Sequence, residues 1–204
     1  MNMALKNVKS SLREISKSLK ASNASREFLI KNTRDVVILC SHSIIAVHKG
    51  DLRLAKQKLK KAEVVLKKNQ KKAGDKFQKY IITPEQEFVE AHSFLAVTEN
   101  KEIPSLKSLI VSEGSYILGL LDCIGELKRL VLDNIRKGQL KKAERIFDVM
   151  ENLYQTLYPF ALYDKIVKEA RRKLDVNRIL VEETRAVITE EIRRNHFVKA
   201  LTEK

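Results

Sequence analysis

The sequence predicts an all-α protein, and three observations support this. Only 6 Gly and 3 Pro occur in 204 residues, so turns are few and the elements between them are long. Apolar residues make up 44% of the chain, which at this length is enough for one substantial core. They recur every three or four residues, as on one helix face. We expect six or seven antiparallel helices in a single domain spanning 1–204, with short mobile ends.

The first quarter of the chain predicts two helices and the start of a third. Residues 3–20 carry apolar side chains on one helix face, and a second pattern runs from about 26 to 47. Gly50 suits the position after a helix, and Asp51 can cap the next one. That third helix, which Ala73-Gly74-Asp75 ends, carries a regular apolar seam. The seam consists of Leu52, Ala55, Leu59, Ala62 and Leu66.

A strong helix-start signal, Thr83-Pro-Glu-Gln, predicts a further helix in the middle of the chain. Thr83 is the expected N-cap, with Pro84 in the first helical position and Gln86 in the third. We expect this helix to run to about Val97 and to be followed by a loop over 100–104.

The second half of the chain predicts three more helices. The most apolar one covers about 112–137 and closes at Gly138, which gives a central element about 39 Å long. A shorter helix covers about 139–157. Pro159 interrupts the chain, and a long final helix runs from about Tyr163 to Asn195.

Composition excludes several classes of protein. Cys40 and Cys123 lie far apart within apolar runs, so we expect buried core residues and no disulfide or zinc framework. No signal peptide is recognisable, and the longest apolar stretch, 116–123, is far too short to span a bilayer. We therefore expect a soluble, cytoplasmic protein without a membrane partner.

Charge is concentrated on one segment. The net charge is +14, and residues 49–79 contain 12 Lys and Arg but only three acids. A lysine-rich face exposed to water is one interpretation; binding of a polyanion, first of all nucleic acid, is the other. Since aromatic residues are 6% and Trp is absent, we expect backbone contacts rather than extensive base stacking.

Two acidic pairs interrupt apolar helical sequence. Glu87 and Glu90 are three residues apart, and Asp122 and Glu126 are four apart, so each pair lies on one side of its helix. Like charges in a half-buried place repel, and a divalent cation relieves that repulsion. Carboxylate oxygens suit Mg²⁺, with Mn²⁺ as the alternative. Beside a basic surface, such an ion suggests phosphodiester cleavage, with Arg129 available to hold phosphate.

Other metal and phosphate chemistries match less well. A ferritin-like di-iron site needs Glu-x-x-His, which none of the four histidines completes. All-α nucleotide pyrophosphohydrolases also use paired carboxylates on antiparallel helices. Their second pair is Glu-x-x-Asp, whereas this chain has Asp122-x-x-x-Glu126, so this class stays open as an alternative.

Several segments resemble the translin family, closest to its translin-associated factor X (TRAX) branch. Two are the acidic strings Glu87-Phe-Val-Glu-Ala and Leu121-Asp-Cys-Ile-Gly-Glu-Leu-Lys-Arg. A third, Ser43-Ile-Ile-Ala-Val-His-Lys-Gly-Asp, resembles the family's His-Arg-Gly-Asp turn. The final helix adds Arg171-Arg-Lys-Leu-Asp-Val-Asn-Arg and Glu182-Glu-Thr-Arg. The resemblance covers about 26–185.

The resemblance implies an all-α subunit of a closed homo-oligomeric shell, typically an octamer, with nucleic acid on its inner face. In TRAX-like members the acidic pairs form a Mg²⁺-dependent RNA endonuclease site. By that resemblance Glu87, Glu90 and Asp122 are metal ligands, and Glu126 is a ligand or activates the attacking water. Arg34 and Lys49 would bind nucleic acid. Lys49 replaces the usual Arg and so lacks its bidentate fork.

The leading hypothesis is a Mg²⁺-dependent endoribonuclease that cuts single-stranded RNA within a homo-oligomer, with single-stranded DNA as a further ligand. The second is a translin-like nucleic-acid-binding protein without catalysis, whose acids are structural. The third is a nucleotide pyrophosphohydrolase.

Overall fold

The structure, a computed structural model, describes residues 5–202 and confirms the all-α class, with no strand in that range. Two 3₁₀ helices, Asp75–Tyr80 and Tyr158–Tyr163, join longer elements. The α-helices are α1 (Lys6–His48), α2 (Leu52–Ala73), α3 (Ile82–Thr98), α4 (Leu106–Leu109), α5 (Glu113–Arg136), α6 (Leu140–Leu157) and α7 (Ala170–Thr202).

The central helix is α5, which contacts α3, α6 and α7, while α1 packs along α2 and α3. One apolar core joins these elements. Its largest fully buried side chains include Phe88 and Phe94 of α3, Leu121 and Ile124 of α5 and Met150 of α6. The prediction of a central, apolar helix near 112–137 is therefore confirmed.

Several local predictions are confirmed in detail. The Asp51 carboxylate accepts a hydrogen bond from the Leu54 backbone N–H at 2.9 Å and caps α2. The seam residues of α2 are buried, apart from the half-buried Leu52. Gly74 and Gly138 follow α2 and α5 with φ of +48° and +68°, a left-handed conformation that glycine adopts at low cost.

The division of the N-terminal segment into helices over 3–20 and 26–47 is wrong. The two patterns belong to one helix, α1, because no Gly or Pro lies between them to stop it. The apolar face of its first half is 45–62% exposed within the described chain. That face consists of Leu5, Val8, Leu12, Ile15 and Leu19.

The predicted start of α3 is also wrong. Ile81 occupies the N-cap position without a side-chain bond, so Thr83, Pro84 and Gln86 lie inside the helix. The preceding 3₁₀ helix leads almost directly into α3 and already sets the geometry of its first turn. Sequence analysis also missed the one-turn helix α4.

The last helix begins later and ends later than predicted. After Pro159 the chain forms a 3₁₀ helix and a turn, and Glu169 adopts φ +74°, which prevents a continuous helix from Tyr163. α7 starts at Ala170 and runs past Asn195 to Thr202. Among the described residues, no helix is both long enough and apolar enough to cross a membrane.

Candidate functional site

The two acidic pairs face each other across a close contact of α3 and α5. Gly119 of α5 makes the contact possible: a Cβ there would lie 2.4 Å from the Gln86 carbonyl oxygen and 2.6 Å from the Val89 Cβ. The two backbones therefore approach more closely than any side chain at position 119 would allow. This approach turns the faces that carry Glu87 and Glu90 towards those that carry Asp122 and Glu126.

The electrostatics of Glu90 show that the four carboxylates form one cluster. Burial, and after it the charges of Asp122, Glu87 and Glu126, raise the pKa of Glu90 to about 9. Burial and the Asp122 charge likewise raise the pKa of Glu87 above its usual value. We call these four side chains the acidic cluster. Its members are close enough to compete for protons.

Asp122 is the member of the acidic cluster with the most direct partners. The Gln86 side-chain amide donates a hydrogen bond to its Oδ2, and the Lys173 ammonium forms an ion pair with its Oδ1. Lys173 lies in the first turns of α7, and its side chain is only 18% exposed. One turn further on, the Asn177 amide donates to the Leu121 carbonyl oxygen at 2.8 Å, which fixes α7 against α5.

Glu126 is held by a histidine from the end of α1. The His48 Nε2 lies 2.5 Å from a Glu126 carboxylate oxygen, and the ring is 5% exposed and stacks beside Phe94 at 4.7 Å. Since an ionised carboxylate only accepts hydrogen bonds, Nε2 carries the proton in this pair. The Nδ1 atom is 3.6 Å from Asp133, too far for a hydrogen bond. His48 therefore fixes the orientation of the Glu126 carboxylate.

Two clefts lie along α7 on either side of Lys173, and the smaller one reaches the acidic cluster at Asp122. The larger, about 510 Å³, includes Gln86, Ser115, Lys168 and Lys173 in its walls. The smaller, about 220 Å³, is bounded by Asp122, Gly125, Arg172, Lys173 and Asn177. Lys173 separates them. The smaller cleft thus brings the cationic side chains of Arg172 and Lys173 beside Asp122, an arrangement suited to a phosphate group.

The donor chemistry of the acidic cluster fits Mg²⁺ or Mn²⁺. Four carboxylates supply hard oxygen donors, and their mutual repulsion at Glu90 is the charge imbalance that a divalent cation corrects. In residues 5–202, however, no three acidic, His or Cys side chains converge closely enough to hold a metal ion. Asp122 and Glu126 are turned towards Lys173 and His48 instead.

The basic residues predicted to bind nucleic acid are all exposed. Lys49 directly follows His48, and Arg129 lies one turn beyond Glu126, so both are near the acidic cluster. Arg34 is further away along α1. None of these three forms an ion pair with another described residue, which leaves their charges available to a ligand.

The predicted basic segment 49–79 forms an exposed face of α2 and the 3₁₀ helix after it. Of its twelve cationic side chains only Lys58 is half-buried, and within the described chain only Lys56 and Lys67 form ion pairs, with Glu99 and Glu63. Lys68 and Lys76 lie over the rings of Phe28 and Phe77. We call this surface the α2 basic face.

Sequence analysis did not assign Lys173, Gln86 or His48 to the site. Gln86 was expected to cap α3, but its amide reaches Asp122 on another helix. His48 and Lys173 lie in segments that carry the family resemblance, and that resemblance is the sequence signal by which they could have been assigned to the site. Their roles depend on which helices meet, and spacing along the chain does not contain that information.

Comparisons with known proteins agree with this architecture. The sequence matches the Translin family over residues 7–187. It is 40% identical over 162 residues to the uncharacterized protein MJ0175 of Methanocaldococcus jannaschii, covering 78% of this chain and 72% of the relative.

Solved structures with a similar fold include two C3PO proteins. AfC3PO, in a complex with duplex RNA, is 32% identical with a TM-score of 0.82, over 90% of this chain and 97% of that one. Apo-NeC3PO has a TM-score of 0.73 over 94% of this chain and 98% of its own, and at 21% identity it supports the fold alone.

Proposed function

This chain belongs to the translin family, and from that premise we propose that it is a Mg²⁺-dependent endoribonuclease of the TRAX-like branch. The reaction would take place at the acidic cluster, on single-stranded RNA, in a cytoplasmic homo-oligomer, with an octamer as the expected assembly. Mn²⁺ is the alternative ion, and single-stranded DNA is a further ligand.

One observation carries the proposal: four carboxylates from two helices lie close together at a half-buried place, and a cleft with cationic walls opens from Asp122 to solvent. Gathering like charges away from water is unfavourable. A purely structural role would be served better by neutral side chains of similar size. A divalent cation and a phosphate group account for both the acids and the cations beside them.

Each side chain has a role in the proposed reaction. Glu87, Glu90 and Asp122 would hold the ion, which when bound supplies an activated water and neutralises charge on the phosphate. Glu126, oriented by His48, would accept the proton of the attacking water. Arg172 and Lys168 would hold the phosphate from the cleft walls. The α2 basic face, with Lys49, Arg129 and Arg34, would bind the rest of the RNA backbone.

The proposed substrate is single-stranded RNA, whereas AfC3PO was solved with duplex RNA, so the experiment compares the two forms. A groove that binds the backbone can accept both single strands and A-form duplexes. We propose cleavage of single strands, where the backbone can bend into the clefts, and we extend binding to duplexes.

A second candidate is a nucleic-acid-binding protein without catalysis. The ion pair between Lys173 and Asp122 favours it, because an internal cation already neutralises part of the acidic cluster. Such a protein would bind RNA with a steep salt dependence and would need no metal.

The test compares an unstructured labelled RNA, its duplex and free nucleoside triphosphates in Mg²⁺, Mn²⁺ and EDTA. Glu90→Gln keeps the shape of the side chain but removes the carboxylate that would bind the ion, so we expect at least a hundredfold loss of cleavage with RNA affinity changed less than threefold. Glu190→Gln, an exposed acid of α7 paired with Arg193, is the matched control and should cleave normally. Full cleavage by Glu90→Gln would reject the site.

Two other outcomes separate the alternatives. RNA binding without cuts in any metal would establish the second candidate. Consumption of free triphosphates with intact RNA would instead indicate a nucleotide pyrophosphohydrolase.

A further inference from the structure

Lys173 is a cation placed inside the acidic cluster. Its ammonium group pairs with Asp122 Oδ1. Its charge also opposes the raised pKa values of Glu87 and Glu90, and among the described residues it is the one cation with a resolved effect on both. The ammonium therefore occupies the position where the carboxylates most need positive charge.

The Lys173 ion pair also determines how Asp122 can be used. Gln86 donates to Oδ2 of this carboxylate and Lys173 pairs with Oδ1, so an ion that binds Asp122 must compete with both partners. Within residues 5–202 no three ligands converge to hold a metal ion, and the Asp122 carboxylate is turned to these two partners.

The surroundings of Lys173 allow its side chain to move while its helix stays in place. The side chain lies between the two clefts, so the ammonium group has solvent-accessible space on either side. Asn177, one turn later, anchors α7 to the Leu121 carbonyl oxygen, and Leu174 is buried in the core. An exchange at Asp122 therefore needs only a side-chain rotation, which is fast.

We propose that Lys173 is a resident cation of the acidic cluster, which a divalent ion must displace from Asp122 and which thereby sets the affinity of the cluster for that ion. This inference rests on the proposed metal site. Lys173 is a positioning residue in this role: it keeps the metal-free carboxylates together and makes ion binding weaker and reversible.

The physical basis is competition between positive charges. A divalent ion is repelled by the ammonium twice as strongly as a proton at the same place, because Coulomb energy scales with charge. Removing the ammonium therefore takes away a repulsion that opposes ion binding at Asp122. The prediction is tighter ion binding, the opposite of what the loss of a ligand or of a structural contact would cause.

The test measures Mn²⁺ binding by the full chain without RNA, from the electron paramagnetic resonance signal of free Mn²⁺ at pH 8. Asp122→Asn identifies the binding that belongs to the acidic cluster, because that binding should disappear. We expect Lys173→Met to lower the Mn²⁺ Kd at least tenfold. Lys165→Met is the matched control: it removes an exposed cation from the turn before α7, outside both clefts, and should leave the Kd within twofold.

Lys173→Gln provides a second variant, since it can still donate a hydrogen bond to Asp122 but carries no charge, and it should also bind Mn²⁺ more tightly. Unchanged or weaker binding by the folded Lys173 variants would overturn the inference and leave the nuclease proposal intact. No Mn²⁺ binding by any form of the protein would overturn both. Tighter binding without RNA cleavage would support the inference and reject the nuclease.

Discussion

At the scale of single residues, environment decides chemistry. Glu90 and Glu87 are one turn apart on α3, yet Glu90 is more deeply buried, and the charges of three other carboxylates raise its pKa. Cys40 and Cys123 were predicted to be core residues, and both are buried free thiols. Burial and the nearby carboxylates raise the pKa of each, which makes them poor nucleophiles.

The raised pKa of Glu90 predicts how the stability of the metal-free protein depends on pH. Glu90 keeps its proton in the folded state up to about pH 9 but loses it near its ordinary value when unfolded. Folding therefore holds an extra proton between these values, and the free energy of unfolding should fall as pH rises from about 4.5 to 9, by about 1.4 kcal/mol per unit at most.

Glu90→Gln should flatten this decline, because glutamine does not titrate. Urea denaturation in EDTA at several pH values measures it, with Glu190→Gln as the control that should retain the slope. Parallel pH profiles for the wild type and Glu90→Gln would contradict the assignment of the raised pKa to Glu90.

At the scale of elements, the site depends on how closely α3 and α5 approach. Helix pairs are commonly 8–10 Å apart, according to the side chains at the contact. Gly119 carries no side chain where α5 meets Gln86 and Val89 of α3. Glu87 and Glu90 directly follow those two residues, and Asp122 and Glu126 lie about one and two turns after Gly119. α7 completes the site through Lys173 and Asn177, and α1 through His48.

The chain offers a matched pair of glycines on α5 to test this contact. Gly119→Ala would place a methyl group against the backbone carbonyl of Gln86, so we expect a loss of about 1–3 kcal/mol in the free energy of unfolding. Gly125→Ala meets open space within one subunit and should instead stabilise by about 0.5–1 kcal/mol. Urea denaturation compares the two, and equal stabilities would reject the close approach.

At the scale of the whole molecule, the exposed positive charge and the clustered carboxylates lie on different elements. The α2 basic face is largely unpaired within the described chain, whereas the acidic cluster is enclosed by α3, α5 and α7. An extended polyanion can bind along the α2 basic face and react at the acidic cluster. This separation is why binding and cleavage should respond to different substitutions.

The affinity for RNA should therefore depend on salt through the α2 basic face. If Lys60 and Lys61 contact phosphates, Lys60→Ala/Lys61→Ala should weaken binding and lower the slope of log affinity against log salt by about 0.7 per lost contact with a single strand. Lys141→Ala/Lys142→Ala on α6 removes the same exposed charge elsewhere and should have a smaller effect. Fluorescence anisotropy over a salt series measures the slopes, and equal slopes would place the RNA elsewhere.

The sequence by itself determined the helical class, most helix ends and the identity of the acidic residues. These depend on local causes: the scarcity of Gly and Pro, the Asp51 cap, the turns at Gly74 and Gly138, and apolar spacing. The same local reasoning predicted the wrong start for α3 at Thr83, because the 3₁₀ helix before it leads directly into α3.

Only the tertiary structure decided what surrounds the acidic cluster. Lys173, His48 and Gln86 reach Asp122 and Glu126 from different helices, and the closeness of α3 to α5 follows from a glycine whose role becomes visible only when both helices are in place. Local propensity acts over a few residues, whereas charge and packing act through space between residues that are far apart in the chain. The ion pair that shapes this site joins positions 51 residues apart.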